Sequence, residues 1–277
     1  MTSCSTVALI TERPHARSTV PGATAIMLDG VRTHVTKLTR PTPTWWWRGR
    51  TDHLIREWDS NLLIGLMLLV AVDIGFIAIY SLHDIYISLH HDNVARLSSR
   101  WHIGTDRSYA EMFGYLKMAS IVVLLLATYR LSEKRMYSIW AGIFAYVLLD
   151  DALLIHERLG RAVAGPSGST WAYDMGQLLV WILVGIFLLA ISIGALVLSS
   201  GQNRANGILL LGTLLALGFF AVLVDLVHVI VQSWFRGADL LFTVVEEGGE
   251  QLVLSLAVAL AFLIRRSERK ESPLLTP

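Results

Sequence analysis

The sequence predicts an all-α integral membrane protein, a polytopic bundle of six transmembrane helices with both termini in the cytoplasm. Of its 277 residues, 54% are hydrophobic and 16% are charged, whereas ordinary soluble domains are roughly 45–50% apolar. Apolar runs of about 20 residues recur after residue 60, and each is long enough to cross a hydrocarbon core of about 30 Å. Basic residues concentrate in alternate connections, which fixes the predicted orientation.

Six spans are predicted, and two tails flank them. The spans cover residues 61–82, 109–129, 136–157, 174–199, 207–233 and 240–264. They form a transmembrane domain at 61–264, followed by a short basic cytosolic tail at 265–277.

The composition of the first 60 residues predicts a different kind of segment. They carry eight Lys or Arg, five acids and no sustained apolar period, which is typical of a cytosolic, partly disordered tail. Trp45, Trp46 and Trp47 predict an interfacial anchor ahead of the first span, since indole rings favour the headgroup layer. Met1 and Met27 both remain candidate starts, and no secretory signal peptide is predicted.

The positive charges predict the direction of each span. The N-terminal tail and the connections after spans two, four and six hold 16 of the 23 Lys and Arg residues. The positive-inside rule assigns these segments, and both termini, to the cytoplasm. A multi-pass protein of the plasma membrane is therefore expected.

The sequence lacks the motifs of several other classes of function. Cys4 is the single cysteine, so neither an intrachain disulfide nor a thiolate metal cluster is expected. The sequence contains no phosphate-binding Gly loop, serine nucleophile elbow or HExxH zinc helix, and nothing in it indicates binding to nucleic acid.

Chemistry-bearing residues cluster in the outer halves of the spans, although they come from helices that alternate in direction. Random placement would scatter them, and the inner halves are almost purely aliphatic. The sequence therefore predicts one polar cavity near the extracytoplasmic face. The candidate site residues are Glu111, Asp150, His156, Glu157, Asp174, Asp225, His228, Glu246, Glu247 and Glu250.

Helical spacing indicates which of these side chains share a face. Asp225 and His228 are three residues apart, and Glu246 and Glu250 are four apart, so each pair lies on one side of its helix. Asp150 aligns with Glu157 seven residues later. His156 and Asp151 lie well off that line, and either one joins the same site only where the helix ends or rotates.

The surplus of acid predicts a bound cation. Nine carboxylates occupy the outer zone, whereas the nearby cations are Lys117, Arg158 and Arg236. A charge in hydrocarbon costs at least about 2.5–3.5 kcal/mol, so such groups need partners. Lys117 is equally explained by a structural salt bridge, and Asp73 has no partner that the sequence reveals.

Carboxylates with imidazoles favour one or two divalent metal ions, with iron or manganese ahead of zinc. Asp225, His228, Glu246 and Glu250 are the main predicted ligands, and Asp150, His156, Glu157 and Asp174 are further ones. Glu247 and Glu111 are predicted as catalytic acids or bases. The Asp-x-x-His and Glu-x-x-x-Glu spacings parallel the chemistry of dimetal sites in soluble helix bundles.

Two classes of function follow from such a site. The first is an intramembrane metal-dependent enzyme that acts on a lipid or another apolar small molecule, with oxidation slightly favoured over hydrolysis. The second is a divalent-cation or proton transporter, or a sensor, that uses the same acidic cavity. The nearly apolar inner halves favour the enzyme, because a conduit needs polar groups on both sides of the membrane.

Overall fold

The structure, a computed structural model, describes residues 52, 54–89, 98–165, 169–232 and 238–271. The predicted Trp anchor, Met27 and residues 272–277 of the predicted C-terminal tail lie outside these ranges. Every regular element in the described residues is helical, and six helices are long and apolar enough to cross a membrane. The prediction of an all-α chain with six such helices is therefore confirmed.

Eight α-helices form the described chain. They are α1 Ser60–Leu89, α2 Tyr109–Ser132, α3 Arg135–Leu153, α4 Ile155–Ala164, α5 Thr170–Val197, α6 Gly201–Gly218, α7 Asp225–Gln232 and α8 Asp239–Glu271. A π-helical segment, Phe219–Val224, joins α6 to α7 and makes them one continuous span. Helix α4 has 10 residues, and its start was not separated from the third span in the sequence prediction.

The third predicted span ends earlier than expected. It was predicted to run to residue 157, but Leu154 adopts a left-handed conformation with φ of 52°, and α3 ends at Leu153. The backbone N–H of Leu154 donates to the carbonyl oxygens of Asp150 and Asp151. Because a non-glycine residue rarely has positive φ, such a break often marks a functional region.

The hydrophobic core fills the half of the bundle in which α2 ends and α3 begins. Trp140, Phe144, Leu125, Leu210 and Ile264 have no exposed surface there, and they join α2, α3, α6 and α8. The opposite end, where α3 ends and α2, α5 and α8 begin, is called the site end below. The core forms an apolar floor beneath it.

A buried ion pair fixes the middle of the bundle. The Lys117 Nζ lies 2.8 Å from an Asp73 carboxylate oxygen and donates a second hydrogen bond, also of 2.8 Å, to the Gln251 carbonyl oxygen. Ser255 donates to the other Asp73 oxygen at 2.6 Å. The side chains of Lys117 and Asp73 are almost completely buried, so this network ties α1, α2 and α8 together. Asp73 therefore has the partner that the sequence did not reveal.

Candidate metal centre

A cavity of about 640 Å³ opens at the site end and extends toward the middle of the bundle. Its volume lies within the roughly 300–1,000 Å³ of sites that bind small molecules. The acids that line it are Asp106, Glu111, Asp151, Glu157, Asp174, Asp225, Glu246, Glu247 and Glu250. Six helices contribute to this acidic part: α2, α3, α4, α5, α7 and α8.

The cavity lacks basic side chains to balance these acids. No Lys or Arg lines it among the described residues, and His156 is its one imidazole. Lys117, counted among the nearby cations from sequence, is engaged by Asp73 instead. Arg161 pairs with Glu157 at 2.9 Å, on the exposed side of that carboxylate. Arg236, also counted from sequence, lies outside the described residues. Among the described residues the acids are therefore left to a cation from solution or to retained protons.

Asp225, His228 and Glu246 form the tightest group of potential ligands. One ligand atom from each residue lies within 4.8 Å of the other two. Among the described residues, this is the one group of at least three His, Cys or acidic side chains that meets this distance. The first two come from α7 and the third from α8, so the group depends on how these helices pack.

The π-helical segment contributes to that packing. Phe220 lies in this segment, and its ring packs directly on the backbone of α8 at Gly249. The wider turn of a π-helix shifts the faces of the residues that follow it, and such segments occur frequently at functional sites. Asp225 is the first residue after the segment, so this local geometry sets its position.

His228 is held by two carboxylates. Its Nε2 lies 3.0 Å from an Asp239 oxygen, and its Nδ1 lies 3.5 Å from a Glu246 oxygen. The ring also stacks on Phe242, with planes 10° apart. If Nε2 carries the proton and donates it to Asp239, Nδ1 presents a lone pair toward Glu246. A carboxylate behind a histidine is the usual way in which metal-binding imidazoles are oriented.

His156 has a similar carboxylate behind it. Its Nδ1 lies 3.0 Å from one Asp150 oxygen, and its backbone N–H donates to the other at 3.1 Å. Burial lowers the pKa of His156, but the hydrogen bond and charge of Asp150 outweigh this effect and leave the pKa above its ordinary value. Asp150 is 1% exposed and does not line the cavity. It therefore orients His156, whose Nε2 is the nitrogen left for the cavity.

Glu247 and Glu250 line the cavity without a protein partner. Neither makes a hydrogen bond or salt bridge within the described part of the chain. The negative charges that act on Glu250 come from Glu246, Glu247, Asp151 and Asp225, which shows how closely the acids gather here. Two half-buried carboxylates on one helix face without a counterion are costly.

The remaining predicted site residues, Glu111, Glu157 and Asp174, also line the cavity. Glu111 accepts hydrogen bonds from the Tyr115 hydroxyl and the Arg107 backbone N–H. Glu157 pairs with Arg161 and accepts a 3.3 Å hydrogen bond from the Tyr173 hydroxyl. Asp174 lines the cavity from the first turns of α5.

Sequence reasoning did not select several residues of this region. Asp151 lies within α3, ahead of the break at Leu154, and it lines the cavity although helical spacing placed it off the line that joins Asp150 with Glu157. Its place in the DDxxxxHE segment was the available signal. Gln177 and Gln251 also line the cavity. Asp239 lies 11 residues after His228 and on the next helix, a separation for which no helical spacing rule exists.

Replacing Gly249 with Ala tests the contact between α8 and the π-helical segment. A Cβ at this position would lie 2.3 Å from the Phe220 ring, so the ring or the helix must move. We expect a loss of about 1–3 kcal/mol of stability, as for overpacked cores. Gly248→Ala is the matched control, because its Cβ would meet only the flexible end of Ile77 at 2.8 Å. Thermal unfolding in detergent, followed by circular dichroism, measures both; equal melting temperatures would show that the Phe220 contact is unimportant.

Comparison with known proteins identifies a family but no activity. A family described as "Domain of unknown function (DUF8692)" matches residues 61–265. No curated protein and no solved structure matches the chain. The matched region begins one residue into α1, ends within α8 and contains every residue of the cavity described above. Because the match covers well over half of the chain, the protein belongs to the DUF8692 family.

Proposed function

We propose that the protein is a multi-pass protein of the plasma membrane with cytoplasmic termini. The six long apolar helices support this assignment, together with the concentration of Lys and Arg in alternate connections. In this orientation the site end faces the extracytoplasmic side. The apolar floor then lies toward the cytoplasm.

Within that setting, the function we propose is that of a metal-dependent enzyme acting on a lipid or another apolar substrate. The observation that carries the proposal is the Asp225, His228 and Glu246 group beside a cavity that is rich in acids and that no Lys or Arg of the described residues lines. A divalent ion there would be held by two carboxylates and an imidazole. A second ion would take His156, Glu157 and Asp174, with His156 oriented by Asp150.

The ligand types favour iron or manganese, with zinc next. Carboxylate-rich iron or manganese supports oxidation with dioxygen, which is the reaction class we favour. Zinc would instead activate a water molecule for hydrolysis. Glu247 and Glu111 remain the candidates for proton transfer, since both line the cavity outside the Asp225 group.

Elemental analysis of the detergent-purified protein tests this proposal. We expect at least one equivalent of iron, manganese or zinc per chain in the wild type. His228→Ala is expected to remove most of it, and Glu250→Ala to reduce it if this carboxylate completes the coordination. A wild-type protein without stoichiometric metal, even after reconstitution with each ion, would refute the proposal and favour a cavity that holds protons and water.

The residue behind His228 gives a finer test. Asp239→Ala removes the hydrogen bond that orients the ring, and loss of such a partner weakens metal binding by about 10–100-fold. Asp84→Ala is the control, because Asp84 is also a carboxylate near the site end but makes no hydrogen bond or ion pair with His228 within the described residues. Competition with a chromophoric chelator measures both affinities. Equal affinities for the two variants would show that Asp239 does not orient a ligand.

One observation supports the alternative function, transport of a divalent cation or of protons. Gln251 lines the bottom of the acidic region, and its carbonyl oxygen accepts from Lys117, which pairs with Asp73. Polar groups therefore continue about one helical turn below Glu250. Uptake of divalent ions or protons into proteoliposomes separates the two functions. Flux that His228→Ala abolishes would favour transport over the enzyme.

A further inference from the structure

The cavity has a second, apolar part that the acids do not occupy. This part, called the apolar lobe, is the space between α5 and α6 lined by Leu188, Leu189, Leu214, Leu215 and Leu217. The same cavity also reaches Leu178 and Leu211. Residues 178–189 alone extend about 16 Å along α5 at the rise of an α-helix, so the lobe is long as well as apolar.

Two glycines show that the lobe is open space. Gly185 on α5 and Gly218 at the end of α6 both line the cavity. A Cβ built on either one would meet no atom of another part of the chain within 4 Å. Packed glycines behave differently: at Gly160, Gly207 and Gly249 a Cβ would lie under 3 Å from a neighbour. The lobe is therefore a space between helices that protein atoms leave unfilled.

The lobe reaches the surface of the bundle on its apolar side. Leu189 and Leu215 line the cavity and are nevertheless 38% and 56% exposed, whereas Leu188 and Leu217 are each 7% exposed. The surface around this opening is aliphatic, with Ile186 exposed beside it. An opening surrounded by such side chains faces hydrocarbon in a membrane, and an apolar molecule can enter it without crossing water.

We propose that the apolar lobe binds one acyl or alkyl chain of a membrane lipid, which enters sideways between α5 and α6 and directs its polar head at the acidic region. This inference deepens the proposed function, because it names the substrate class of the same site. The head of the lipid then lies beside Asp225, Glu246 and Glu250. Continuity between the lobe and the acids within one cavity carries the assignment.

Filling the lobe tests the proposal. Gly185→Phe places a ring in space that is empty, so the substitution blocks the chain without a clash in the fold. Gly194→Phe is the matched control, because Gly194 also lies on α5 with no atom within 4 Å of its Cβ but does not line the cavity. It lies nine residues from Gly185, on roughly the opposite face of the helix.

The probe is hexadecanol carrying a mid-chain diazirine and a terminal alkyne, added to the protein in phosphatidylcholine nanodiscs. We expect light to attach it mainly to residues 178–189 and 211–222 of the wild type. Gly185→Phe should reduce that labelling about tenfold or more, since exclusion of two methylene groups already weakens binding about tenfold. Gly194→Phe should label like the wild type.

Two results would overturn the proposal. One is labelling spread evenly over the exposed apolar surface, which indicates ordinary surrounding lipid. The other is lobe labelling that Gly185→Phe leaves unchanged. If Gly185→Phe fails to fold, Gly218→Leu repeats the test from α6. Metal content measured on the same samples separates this inference from the proposed function: metal without lobe labelling refutes only the lipid site, and lobe labelling without metal refutes only the metal centre.

Discussion

Lys117→Met is expected to lower the stability of the protein by about 3–5 kcal/mol, because it leaves the Asp73 carboxylate buried without its counterion. Asp73 has no exposed surface, and after the substitution Ser255 is its one remaining side-chain hydrogen-bond donor among the described residues. Lys117 also donates to the Gln251 carbonyl. The substitution therefore loosens α8 next to Glu250. Unfolding in detergent, followed by circular dichroism, measures the loss.

The double variant Asp73→Leu with Lys117→Met is the matched comparison. Replacing both members of a buried pair by apolar residues is often neutral or stabilising, since no uncompensated charge remains. We expect it to recover most of the stability that the single variant loses. A single variant as stable as the wild type would mean that water or another group neutralises Asp73, and the structural role of this pair would have to be abandoned.

Glu246→Gln is expected to weaken divalent metal binding by more than about 100-fold, since removal of a residue behind a ligand already costs about 10–100-fold. The amide keeps the size of the side chain but removes the negative charge that faces His228 at 3.5 Å. Titration of the metal-free protein with Mn²⁺ measures the change, because the signal of free Mn²⁺ in electron paramagnetic resonance broadens on binding.

Glu133→Gln provides the control for charge. Glu133 is exposed and directly follows the last residue of α2, at the opposite end of the bundle from the site end. It does not line the cavity. The Glu133→Gln variant should bind Mn²⁺ like the wild type. Equal weakening in both variants would indicate that Mn²⁺ responds only to net charge, and equal binding in both would exclude Glu246 as a ligand.

The number and position of the helices were accessible from sequence, because apolar runs about 20 residues long have few alternatives to membrane helices. The common location of the acids was accessible as well, since it follows from helix direction alone. Asp225 and Glu246 were chosen for their depth, and both line the cavity that the structure contains. Their proximity to each other was inferred from their similar depth in the membrane, because residue spacing gives no distance between two separate helices.

What sequence did not reveal depends on local breaks and on contacts between distant helices. The left-handed Leu154 turns His156 toward the cavity and leaves Asp150 behind it, where a continuous helix would have aligned Asp150 with Glu157. The pairing of Asp73 with Lys117 joins residues 44 positions apart. Helical periodicity carries no information on either, because it describes one regular element at a time.

The π-helical segment is the third such feature. Residues Phe219–Val224 are apolar and read as uninterrupted helix. Phe220 of this segment packs on Gly249, a contact between two spans. The residue that packs on Gly249 became visible only in the structure.

Nitrogen coupling to bound Mn²⁺ tests the central claim most directly. Electron spin-echo modulation detects an imidazole nitrogen that ligates the ion. For Mn²⁺ bound at one equivalent, the account predicts coupling to a histidine nitrogen that disappears in His228→Gln and persists in the Glu133→Gln control. Bound Mn²⁺ with no nitrogen coupling, or coupling that His228→Gln leaves intact, would contradict a metal centre built on Asp225, His228 and Glu246.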